Sequence, residues 1–118
     1  ITSSPLQALL LLNDPQYIEA ARVMAENSIL SEDTSMDNKL SDIFRKITGR
    51  TIKQSELETL KRFYGEEEEK FKKNPSKAIA YLNTGEKPMN RKLGIINTAA
   101  LATVISGLMN TAEAITIN

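Results

Sequence analysis

The sequence predicts an all-α fold: a single orthogonal, bundle-like domain of about six helices, with an apolar C-terminal helix at its centre. Three observations carry this. Apolar residues recur at three- and four-residue spacing along the chain, with no convincing run of strict alternation and no Asn-Gly or Asp-Gly hairpin turn. Helix starts and stops recur: Ser4-Pro5, Asp14-Pro15, Gly49 and Asn74-Pro75. Finally, 118 residues that are 41% hydrophobic and 25% charged make one folded soluble domain, large enough to bury a core without disulfides.

The elements follow in order. Ser4 is placed to cap a first helix, with Pro5 at its first position, where a missing N–H costs nothing. The leucines of Leu9-Leu10-Leu11-Leu12 make it a short buried helix, ending near Asn13 because Asp14-Pro15 starts the next. Its apolar block is far short of the ~20 residues a membrane span needs. A second helix is expected over about 15–30, with Tyr17, Ile18, Ala21, Met24, Ala25 and Ile29 inward and Glu19, Arg22 and Glu26 facing water. Residues 31–35 read as a polar loop. A third helix carries Met36, Leu40, Ile43, Phe44 and Ile47, and stops at Gly49, which takes the left-handed conformation without a Cβ clash.

Ser55 and Glu58 have the spacing of a capping box for a long fourth helix, with Leu57, Leu60, Tyr64 and Phe71 on one face. Gly65 sits inside it and weakens it by roughly 1 kcal/mol relative to alanine. Asn74-Pro75 starts a short fifth helix with Ala78, Ile79 and Leu82 inward, stopped near Gly85; residues 84–92 are a polar connection. The last helix, about Leu93 to Asn110, is apolar nearly all round, which argues for burial on most sides. It has 17 uncharged residues from Leu93 to Met109, but Asn97, Thr98, Thr103 and Ser106 make it a better core helix than membrane span. Ala99, Thr103 and Gly107 form a small-residue strip that lets another helix approach closely.

Composition removes several chemistries. With no cysteine and no histidine there are no disulfides, thiolate nucleophiles, Cys/His zinc sites or histidine bases. Fifteen acids balance fifteen bases, so no overall field points to nucleic acid or an anionic membrane. The charge is unevenly placed: residues 1–44 carry seven acids and two bases, leaving eight acids and thirteen bases for residues 45–118. The chain lacks a start methionine and a basic-then-apolar leader, so it is expected to be a piece of a longer protein.

The candidate sites are few, and no catalytic or metal-binding set is expected. Glu66-Glu67-Glu68-Glu69 has no Glu-x-x-His partner for a bundle metal site. Its spacing instead suits ion pairs Glu66–Lys70, Glu68–Lys72 and Glu69–Lys73 on an exposed face. Glu32, Asp33 and Asp37 lack the spacing of a calcium loop. Arg45, Lys46, Arg50 and Lys53 form a basic patch, a weak anion-binding candidate that also suits a helix C-terminus. Leu6, Leu9, Leu10, Ala99, Thr103 and Gly107 are the candidate docking surface.

Pro5-Leu6-Gln7-Ala8-Leu9-Leu10-Leu11-Leu12-Asn13-Asp14-Pro15, continuing into Glu19-Ala20-Ala21-Arg22, carries a family likeness. So do Phe44-Arg45, Thr48-Gly49-Arg50, Glu56-Leu57, Gly85-Glu86-Lys87-Pro88, Met109-Asn110 and Glu113-Ala114. On these residues the chain resembles the C-terminal planctomycete-specific domain of unknown function, found in large secreted proteins of planctomycetes and Bacteroidetes. The resemblance spans essentially the whole chain, and its opening block is the specific part. It implies an exported protein with a companion planctomycete domain and often a cytochrome c domain. The Cys-x-x-Cys-His haem motif is missing from this chain, so any haem would be held outside it. One departure is Asn97, where relatives tend to be acidic ahead of the Ala-Ala pair; Glu113 keeps the family's Asn-x-x-Glu ending.

The leading expectation is therefore a non-catalytic helical domain that packs against, and stabilises, other domains of the same polypeptide. No cofactor is expected in this segment, and no nucleic-acid partner or membrane span; the oligomeric state is open. Two alternatives stand beside it: part of the active-site wall of a polysaccharide-processing or redox enzyme, and a carbohydrate-binding module. The second needs exposed aromatic platforms, and Tyr81 is the one ring expected at the surface.

Overall fold

The computed structural model describes residues 6, 17–31, 35–85, 89–90 and 92–117, with side chains up to 112. Among these, five helices and no strand occur: α1 (Ile18–Leu30), α2 (Met36–Thr48), α3 (Gln54–Lys73), α4 (Pro75–Leu82) and α5 (Ile95–Ile117). The all-α class holds among the described residues, which contain five of the about six helices expected. The helix expected over 5–13 lies outside the described residues except for Leu6, which is helical and packs half-buried on the main core.

Helix α5 is the hub and packs against each of the other four. It runs seven residues past the expected end at Asn110. Ala99 to Leu108 are buried without a break, in a helix with no polar face to turn outward. Its hydroxyls do not oppose burial, because they bond one turn back. Thr98 Oγ1 donates to the Gly94 carbonyl at 2.6 Å, Thr103 to Ala99 at 2.9 Å and Thr111 to Gly107 at 2.8 Å. The 18-residue stretch Ile95–Ala112 is long and apolar enough to cross a membrane, and 67% of it is buried inside the domain.

Around α5 the main core collects Ala21 and Ala25 of α1, Leu40, Ile43 and Phe44 of α2, and Leu57 and Leu60 of α3. A smaller cluster joins Ala78 and Leu82 of α4 to Met89 and Ala99. The expected small-residue strip meets α4 at two of its members: Ala99 packs with Ala78 and Leu82, and Thr103 lies beside Tyr81.

Local signals act largely as expected at two ends. Gly49 closes α2 with φ +80°, its N–H donating to the Arg45 carbonyl at 2.8 Å. Pro75 opens α4 at its first turn. The start of α3 differs from the sequence reading. Its N-cap is Lys53 rather than Ser55, and the carboxylate reaching back belongs to Glu56 rather than Glu58, accepting from the Lys53 N–H at 3.0 Å. Glu56 wins because the same carboxylate also holds Arg50 in a two-pronged pair at 2.9 and 2.6 Å.

The glutamate run also pairs differently. Glu68–Lys72 forms at 3.8 Å, but Lys70 turns to Glu67 at 2.9 Å and Lys72 also reaches Glu69 at 3.7 Å. Glu67 is buried, so the run is not one solvated face. Ile79, expected inside, is 39% exposed.

Candidate functional site

Two surface depressions and one buried polar unit are the candidates for function. The larger depression is a groove of about 610 Å³ between α1 and α2. Val23 and Met24 of α1 and Ile43 of α2 give it an apolar floor; Asn27, Ser28, Asn38 and Asp42 give it a polar rim. Both helices pack more on α5 than on each other, and the groove opens where they part. Lys39 bridges the splayed ends: its Nζ donates to the Ser28 carbonyl at 2.8 Å and to Ser31 Oγ at 3.1 Å. A cation there offsets the exposed carbonyls at the end of α1.

The smaller depression is a cleft of about 370 Å³ between the last turns of α2 and the start of α3. Ser41, Asp42 and Arg45 line one wall, Thr51, Lys53 and Gln54 the other, over Ile52 and Leu57. The expected basic patch falls here, but its four members are not alike. Lys46 is paired with Asp42 at 2.9 Å. Arg50 is held by Glu56, and its guanidinium lies 4.8 Å from the Phe44 ring centroid. The Arg50 hydrogen bonds, with the Lys53 N–H second, hold the Glu56 carboxyl below the usual carboxylate range. Arg45 and Lys53 line the cleft without a close ion pair among the described residues, although the Lys53 charge also helps to lower Glu56.

The buried polar unit corrects the sequence reading of α1. Arg22 and Glu26, expected in water, are 0% and 6% exposed. Arg22 stands 3.7 Å from Glu26 and 3.8 Å from Glu19, and Glu26 accepts from the backbone N–H of Asn90 at 2.7 Å. The connection between α4 and α5 is thereby fastened to α1. At its other end Gly85, with φ +94°, lies so close to the Glu19 side chain that a Cβ would collide with it. The sequence held a signal for Arg22 that residue chemistry masked: it falls four residues after Ile18 and three before Ala25, inside the apolar stripe.

Tyr81 also departs from expectation. It is not an exposed platform: its hydroxyl is buried beside Thr103 and Ser106, and its ring packs against Phe71 at 6.1 Å. Burial pushes its pKa up, with those hydroxyls offsetting part of the rise. The docking candidates Ala99, Thr103 and Gly107 are likewise buried under helices of this chain, and Leu6 packs on the core; Leu9 and Leu10 lie outside the described residues. Among the described residues no three acidic side chains converge closely enough to hold a metal ion.

A family model, PSD1: Protein of unknown function (DUF1553), matches residues 1–64, more than half of the chain. The match takes in α1, α2 and the first half of α3, and so all residues lining both depressions. No curated protein and no solved structure matches. The chain belongs to the PSD1 family of proteins of unknown function (DUF1553).

Proposed function

We propose that this domain is a non-catalytic packing module that docks on, and stabilises, the rest of a larger exported, cytochrome-linked protein. The open α1–α2 groove carries the reading: its floor of Val23, Met24 and Ile43 is apolar, and a segment of another domain laid there would remove it from water. The polar groups of the interior support it, because they are used to hold the fold. Glu26 fastens Asn90, Lys39 joins α1 to α2, and the α5 threonines bond their own helix. Export, the companion planctomycete domain and a haem-bearing domain elsewhere follow from the family resemblance.

The test is the full-length protein carrying Ala20→Arg. Ala20 is exposed on α1 and lines the groove, so the arginine fills the groove without disturbing the core. The expected result is a lower melting temperature for the full-length protein and an unchanged one for this chain alone. Equal melting of the full-length variant and its parent defeats the docking reading.

A second reading uses the same groove. Its volume lies in the range of small-ligand sites, so it suits a wall of an active site completed by a polysaccharide-processing or redox domain. Turnover by the full-length Ala20→Arg protein separates the two: a packing role leaves chemistry intact in the folded protein, and a wall role does not.

A further inference from the structure

We infer that the cleft between α2 and α3 binds the oxyanion of a small phosphate or sulfate ester. The inference is independent of the docking role and rests on how the cleft's charges are shared out. Of four basic side chains in this region, two are engaged with carboxylates: Lys46 with Asp42, and Arg50 with Glu56. Those two carboxylates are thereby engaged as well, including Asp42 on the cleft wall. Arg45 and Lys53, neither in a close ion pair among the described residues, stand on opposite walls, with Ser41 beside Arg45 and with Thr51 and Gln54 beside Lys53 as neutral donors.

That set suits one chemistry. A guanidinium offers paired N–H groups to two oxygens of a tetrahedral anion, and an ammonium supplies a point charge. The cleft is larger than an inorganic ion requires, and its floor of Ile52 and Leu57 is apolar. The carbon skeleton of an ester covers that floor while its anion sits between the two cations. The walls are held before any ligand arrives. Glu56 ties Arg50 to the start of α3, Gly49 sets the turn at φ +80°, and Lys61 of α3 meets Asp37 of α2 at 3.2 Å. A prearranged site binds without the cost of ordering its loops.

The experiment is a backbone amide NMR titration of the chain with inorganic phosphate, inorganic sulfate, glucose 6-phosphate and glucose 6-sulfate. The expected result is saturable shifts confined to residues 41–45 and 51–54, stronger for the esters than for the bare ions. The two ester arms show which anion the cleft prefers. Arg45→Gln and Lys53→Gln should each weaken binding about tenfold, and Lys77→Gln, an exposed residue on α4, should leave it unchanged. Both cleft residues are exposed, so the variants should melt with the parent, and a shifted melting curve sends the test to Arg45→Lys, which keeps the charge and loses the fork. Shifts that do not saturate, that spread equally over α4, or that saturate in Arg45→Gln with the parent's affinity overturn the inference. Esters binding no better than inorganic ions overturn its ester part.

Discussion

Glu26 accepts a hydrogen bond at 2.7 Å from the backbone N–H of Asn90, 64 residues further along the chain. The same carboxylate stands beside the fully buried Arg22, so one side chain serves both a buried cation and a distant turn. This contact decides where the α4–α5 connection lies, and through it how the central helix enters the core.

Glu26→Ala should therefore be among the most damaging single changes. It strands the Asn90 amide and removes a buried carboxylate beside Arg22, and breaking a buried pair on one side costs about 3–5 kcal/mol. Glu26→Gln keeps the hydrogen-bond acceptor and should cost less. Urea unfolding measures both; equal costs would show that the charge, not the Asn90 bond, matters.

Acid should weaken the α2–α3 turn through Glu56. Arg50 and the Lys53 N–H hold the Glu56 carboxyl low, so the folded state binds that proton less readily than the unfolded state. The pair's stabilisation is present above the ordinary carboxylate pKa and is lost as pH falls through the depressed one. Melting temperature followed from neutral pH into acid should fall less steeply for Glu56→Gln than for the parent. At neutral pH the substitution should cost about 1 kcal/mol, the scale of a lost N-terminal cap.

Three glycines should respond in different ways to alanine. Gly65 lies within α3 with open space where a Cβ would go, so Gly65→Ala should stabilise by about 0.5–1 kcal/mol. Gly49→Ala has the same room but a left-handed backbone, and should cost about 1 kcal/mol. Gly85→Ala combines φ +94° with a collision against Glu19, so it should cost more than Gly49→Ala. The order of the three melting temperatures is the check.

Tyr64 should ionise late. Burial first, then the Glu68 carboxylate 3.5 Å from its hydroxyl, pushes its pKa up to about 12. The unfolded chain loses that proton near the ordinary value of about 10. Folding stability from this group is thus complete below that value and is lost as pH rises toward the folded one. Ultraviolet titration of phenolate should show a late step that moves down, but not to the ordinary value, in Glu68→Gln.

On α5, Ala99→Leu should destabilise by about 1–3 kcal/mol, because Ala78, Leu82 and Met89 already close the space around a fully buried methyl. Leu101→Ala should cost about 2–5 kcal/mol by the opposite route, a cavity. If unfolding experiments found Ala99→Leu neutral, α5 would not be the tightly enclosed centre described above.

The sequence by itself determined the helical class, the stop at Gly49, the start at Pro75, and the central place of a last helix whose one charged residue is Glu113. These are local properties: a left-handed backbone, a missing N–H and an apolar surface on every side act the same way wherever the chain goes. Tertiary structure alone decided the partners. Glu26 is inside where the Asn90 N–H arrives from far along the chain to bond it, with Arg22 beside it, and Glu56 rather than Glu58 caps α3 because Arg50 is brought within reach. Tyr81 is covered because α4 lays it against Phe71 and α5. The candidate sites divide the same way. Four basic residues were legible as a patch, and Asp42–Lys46 has the i,i+4 spacing of a helical pair, but only the folded turn brings Glu56 to Arg50 and sets Arg45 and Lys53 on one cleft. The reason is that an ionic side chain's state depends on which opposite charge lies within a few ångströms, and sequence spacing does not report that distance once the chain has turned back on itself.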